Sequence, residues 1–198
     1  MCINFHTSII AYSIGTISSL LLINNDNKEK RMIGYFILFY TIVQLLEALI
    51  YENNKDIYSR LLLINLGLQG LVFILLLNNY IPVNNNYIYA FGIIALCITY
   101  ISIHPNFLKA TTENGMKWNF INDDIGKIFI IIYVLILIST YHYSKKLNYI
   151  NKLILLLTLT YIISFNINIF YPKLLCKSNE PSIWCLSSAI VAPIMLII

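Results

Sequence analysis

The sequence predicts an all-α fold, a polytopic transmembrane helical bundle of about seven helices, and three observations carry that prediction. Apolar segments separated by short polar connectors run almost from end to end, 59% of the residues are hydrophobic and 11% charged, and the mean hydropathy is +0.74. A water-soluble domain carries about 25% charged residues, so this composition belongs to a chain whose helices face lipid.

The apolar segments read Ser8–Ile23, Met32–Tyr51, Leu61–Leu77, Tyr87–Ile103, Ile128–Tyr141, Leu153–Tyr171 and Ile183–Ile198. Each is about 15–20 residues long, near the length a helix needs to cross a hydrocarbon core. Connectors between them average about 8–10 residues, so residues 1–198 read as a single transmembrane helical domain with no room for an extramembrane enzyme. The net charge of +4 is scattered through the connectors, which predicts contact with the lipid bilayer and no nucleic-acid partner. No cofactor is expected. Met1 to Thr7 hold no Lys or Arg, the basic start a secretory leader needs, so the first span is expected to be retained. The high Ile, Asn and Tyr content suggests an AT-biased genome, and the Asn84–Asn86 run is discounted on that ground.

Seven spans sort the connectors into two faces. The amino face holds Met1–Thr7, Glu52–Arg60, His104–Lys127 and Pro172–Ser182; the other holds Asn24–Arg31, Asn78–Asn86, His142–Lys152 and the carboxyl end. Lys and Arg number seven on the first and six on the second, but the six sit in two tight clusters, Lys28–Arg31 and Lys145–Lys152. Cluster density places the amino terminus outside or in a lumen and the protein in a membrane as a multi-pass chain.

Inside the spans, Glu47 is the one clearly ionisable residue, and a carboxylate in hydrocarbon is costly unless it faces the bundle interior or reaches the headgroups. Tyr40, Gln44, Glu47 and Tyr51 follow i, i+4, i+7, i+11 spacing and share one stripe of a helix. Asn65 and Gln69 repeat the theme at i, i+4 in the next span, either as part of a polar site or as hydrogen bonds between helices. Thr158, Tyr161, Ser164 and Asn168 read as packing positions.

The connector Pro105–Lys127 is long enough to fold over a cavity, with Asn114-Gly115 as a turn, then Trp118, then Asp123-Asp124. Trp118 and Trp184 fall at the amino-face boundary, where they serve as interfacial anchors or line a site. His6 and His104 reach the amino face, and with Asp123 or Asp124 they form the weaker alternative of a metal site, whose spacing matches no ligand signature. Cys97 reads as a small apolar filler, and Cys2, Cys176 and Cys185 are near enough to one face to include a disulfide if that face is oxidising. No Lys lies within a span for a retinal Schiff base, no span is Arg-rich as a voltage sensor is, and no Gly-rich phosphate loop, GxSxG, HExxH or CxxC motif occurs.

Met1-Cys2, Gln44-Leu-Leu-Glu47-Ala-Leu-Ile-Tyr51, Gln69, Asn114-Gly115-Met116-Lys117-Trp118 and Pro181-Ser182-Ile183-Trp184-Cys185-Leu186-Ser187 together resemble a family of uncharacterised seven-span membrane proteins of bacteria and large DNA viruses of eukaryotes, which typically begin Met-Cys-Trp-Ser. This chain has Ile3-Asn4 in place of Trp-Ser, and Gly70 where Pro often follows the Gln. The resemblance implies seven spans and a shared site on the amino face, and no activity. A coarser similarity is to membrane-embedded metal hydrolases of the alkaline ceramidase type, whose His-x-x-x-His pair is absent here.

The expected function is a non-enzymatic membrane protein that binds or passes a small polar or lipid-like molecule in an amino-face cavity lined by Gln44, Glu47, Asn65, Gln69, Trp118 and Trp184. The alternatives are a metal-dependent hydrolase of lipids in the membrane and a structural component of a viral or organelle membrane.

Overall fold

A computed structural model describes residues 5–53, 56–103, 110–111, 117–118, 147–170 and 190–198. Six helices lie among them: α1 (Phe5–Ile23), α2 (Lys28–Asn53), α3 (Asp56–Asn78), α4 (Asn85–Ile103), α5 (Asn148–Phe170) and α6 (Val191–Ile197). Strands β1 (Ala110–Thr111) and β2 (Lys117–Trp118) pair antiparallel, Ala110 with Trp118 and Thr111 with Lys117. The described residues are otherwise helical, as the all-α expectation has it, and the short ladder spans the sequence positions that flank the Asn114-Gly115 pair.

Helices α1, α2 and α3 are long and apolar enough to cross a membrane. The segments Ser8–Ile23, Met32–Tyr51, Leu61–Leu77 and Tyr87–Ile103 each fall inside one helix, while Ile128–Tyr141 lies outside the described residues and Ile183–Ile198 is described only from residue 190. The helices overrun the apolar segments at their polar ends. Lys28–Arg31, expected in a connector, forms the first turn of α2, and Asp56–Arg60 the first turn of α3.

Asparagine sets where two of these helices begin. Asn27 Oδ1 accepts hydrogen bonds from the backbone N–H of Glu29 at 2.8 Å and of Lys30 at 3.2 Å, an N-cap for α2. Asn25 Oδ1 accepts from Asn27 N–H at 3.0 Å and shapes the turn before it. Asn84 Oδ1 accepts from Asn86 N–H at 3.0 Å at the start of α4, and Asn78 Oδ1 accepts from Val83 N–H at 2.9 Å across the α3–α4 connection. Asn84 of the discounted run thus has a structural role at the start of α4.

Helices α1 and α2 pack most closely. The buried side of α1 is a seam of Ser8, Ala11, Gly15, Ser18, Ser19 and Leu22, small residues at the three- and four-residue spacing that lets two helix backbones approach. A Cβ built on Gly15 would collide with Cγ2 of Thr41, and one on Gly34 would stand 2.8 Å from the Ile23 backbone nitrogen. These contacts fix an antiparallel register, with Gly15 opposite Thr41 and Gly34 opposite Leu22 and Ile23. The other side of α1 exposes Ile10, Ile14, Ile17 and Leu21, an unbroken apolar stripe of the kind lipid solvates.

On its other side α2 packs against α3, where the rings of Phe36 and Phe73 meet edge to face at 5.0 Å. The core continues through Met32, Ile33, Leu62, Leu77, Leu153 and Met195, so α5 and α6 close the bundle. Six residues join α3 to α4 and reach at most about 25 Å, less than the roughly 28 Å length of α4, so two helices packed along their lengths must run antiparallel.

Candidate functional site

Helix α2 carries the polar stripe that the spacing predicts. Gln44 and Glu47 are each 1% exposed, Tyr40 is buried and Tyr51 half-buried. At about 100° per residue the stripe lies some 60° to 120° around α2 from Thr41, which meets α1, toward Phe36, which meets α3. It therefore points into the wedge between α1 and α3. Glu47 is buried within the bundle, although Glu52, about one turn on, is exposed.

The register with α1 brings a further group to this wedge. Ser8 stands seven residues before Gly15, and Ala48 seven after Thr41, so the two are level and Ser8 joins the turns that carry Gln44 and Glu47. Its hydroxyl is fully buried and has no hydrogen-bond partner among the described residues. The same holds for both the amide nitrogen and the carbonyl oxygen of Gln44. Sequence reasoning passed over Ser8. Its small-residue neighbours were a visible signal, but its position level with Ala48, one turn from Gln44, depends on interhelical register.

Asn65 and Gln69 play a different part. Asn65 donates from Nδ2 to the Phe39 carbonyl at 3.4 Å, and Gln69 donates from Nε2 to Asn65 Oδ1 at 3.2 Å, both within the buried interior. The pair ties α3 to the backbone of α2. Asn65 is thus engaged by a backbone carbonyl and by its own helix, as expected of polar groups that hold membrane helices together.

The remaining candidates separate into two groups. His6 is exposed on the first turn of α1, its ring edge-on to Phe5 at 5.5 Å, and β2 ends at Trp118. His104, Asp123, Asp124, Trp184, Cys2, Cys176 and Cys185 lie outside the described residues. Among the described residues no three His, Cys, Asp or Glu side chains gather to hold a metal. Cys97, read as a small apolar filler, is an exposed thiol on α4, and Thr158 turns its hydroxyl back to the Ile154 carbonyl at 2.8 Å.

Chemically, the wedge offers a carboxyl group, an amide with an open donor and an open acceptor, and a hydroxyl. Such a set suits a small partner that both donates and accepts hydrogen bonds. No protein-family model, no curated protein and no solved structure matches this chain.

Proposed function

We propose that the chain is a multi-pass membrane protein whose Gln44, Glu47 and Ser8 form a polar site, toward the amino-terminal end of the bundle, that binds or passes a small polar or lipid-like molecule. The observation that carries this reading is Gln44, an amide buried to 1% exposure with neither of its polar ends paired among the described residues. A buried unpaired donor or acceptor costs about 1–3 kcal/mol, and a molecule seated between the helices would offset that cost at both ends of the amide. Glu47, one turn along the same stripe and equally buried, adds a carboxyl group to the site.

Seven crossings fit the same picture. Helices α2 and α5 start at one end of the bundle, where Tyr149 N–H donates to Glu29 Oε2. By the antiparallel order α4 ends at the opposite end, so a crossing over Ile128–Tyr141 would carry the chain back. The amino terminus then lies on the face away from Lys28–Arg31, the outside or lumenal face by charge density.

The test is a set of proteoliposomes carrying wild type, Gln44→Leu or Glu47→Gln, screened for retention or flux of small polar solutes and lipids. Gln44→Leu is expected to match or exceed the thermal stability of wild type, since it removes an unsatisfied group, while abolishing the solute response. Glu47→Gln is expected to fold and to alter that response. A Gln44→Leu protein that is markedly less stable would make Gln44 a structural residue and remove the main support for the site.

A further inference from the structure

The Glu29 to Tyr149 hydrogen bond also gathers charge. Lys30 Nζ lies 4.9 Å from the centroid of the Tyr149 ring and Lys152 Nζ lies 5.4 Å from it. The two ammonium groups, one from α2 and one from α5, therefore stand no more than about 10 Å apart. Arg31 and Lys28 adjoin Lys30 on the first turn of α2. Two carboxylates face this group among the described residues. Glu29 is committed to the α5 backbone, and Asp26 lies exposed in the preceding turn. Among the described residues here, Lys28, Lys30, Arg31 and Lys152 thus outnumber the two carboxylates. The first backbone amides do not add to it, since Asn27 already takes the N–H groups of Glu29 and Lys30.

Beneath the cations the surface turns apolar. Leu155 and Leu159 follow Lys152 at i+3 and i+7, so all three share one side of α5, and both leucines are exposed. On α2, Tyr35 follows Arg31 at i+4 and is exposed as well. A cationic cap above an apolar stripe matches the shape of a phospholipid, with its phosphate at the helix ends and an acyl chain along the helix.

We propose that Lys30 and Lys152, with Arg31 beside them, bind the headgroup of an anionic phospholipid whose acyl chain lies along Leu155 and Leu159. This rests on the membrane reading above but not on the Gln44 site. The apolar stripe favours a lipid over a free phosphate, which would gain nothing from the leucines.

The test titrates purified protein in neutral detergent with phosphatidylglycerol, phosphatidylcholine or inorganic phosphate, reading the lipid-bound fraction by native mass spectrometry. Wild type is expected to prefer phosphatidylglycerol, and K30Q/K152Q to lose roughly tenfold to thirtyfold of that affinity, near the value of two surface charges beside an anionic lipid. K30R/K152R should retain it, and single Lys30→Gln and Lys152→Gln proteins should each fall between, which keeps the test open if the neutral double variant folds poorly. Equal binding of the two lipids by wild type, or undiminished preference in K30Q/K152Q, would overturn the proposal. So would competition by inorganic phosphate at matched concentration, which would mark a soluble-anion site. A chain that stays in the aqueous phase of a detergent partition would overturn the membrane reading beneath it, a result separate from lost lipid preference.

Discussion

Glu29 Oε2 accepts a hydrogen bond from the backbone N–H of Tyr149 at 3.0 Å, so a side chain from the first turn of α2 caps the first turn of α5 across 120 residues of sequence. A carboxylate at a helix N-terminus satisfies an orphan donor and meets the positive end of the helix dipole. Both residues are half-buried, so solvent screens part of the attraction. Glu29→Ala should cost about 1 kcal/mol, seen as a lower midpoint of thermal unfolding in detergent. Glu29→Gln, which keeps an acceptor and loses the charge, should fall between that variant and wild type. Equal midpoints for all three would mean the cap adds nothing to stability.

The same contact makes a topological prediction. Cysteines introduced by Lys28→Cys and Lys145→Cys should label with an impermeant thiol reagent from one side of sealed vesicles. One introduced by Asn53→Cys, at the far end of α2, should label from the other. Labelling of positions 28 and 145 from opposite sides would break the seven-span arrangement.

Close packing at Gly15 gives a third prediction. Gly15→Ala places a methyl group against Cγ2 of Thr41, and overpacking of that kind costs about 1–3 kcal/mol. Thr41→Ser removes the opposing methyl group, so the Gly15→Ala/Thr41→Ser double variant should recover much of the loss, a coupling that thermal unfolding of all four proteins would measure. Additive losses would mean that α1 and α2 do not meet where this register puts them.

Much of this was legible in the sequence where the signal is local. Apolar length found the helices of the first four spans, and helical periodicity put Tyr40, Gln44 and Glu47 on one buried side of α2. What escaped depends on partners distant in the chain. Of the two roles the sequence left open for Asn65, the placement of α3 selects the hydrogen bond between helices, to the Phe39 carbonyl. Ser8 is an ordinary small residue until the Gly15–Thr41 contact sets it level with Ala48. The connector asparagines are a different case. Asn27 and Asn84 stand just before helices, where an N-cap belongs, and that local signal was legible in the sequence but unused.

The central claim is that a polar molecule reaches the wedge beside Gln44. Positions 43 and 44 are adjacent on α2 and equally buried at 1% exposure, but Val43 sits in the apolar core and Gln44 on the polar stripe. In a background with the four native cysteines replaced, the direct measurement is the rate at which a small hydrophilic thiol reagent modifies Gln44→Cys and Val43→Cys in intact membranes. The account predicts that Gln44→Cys is modified and Val43→Cys is inert; equal rates at the two positions, whether both fast or both negligible, would contradict it.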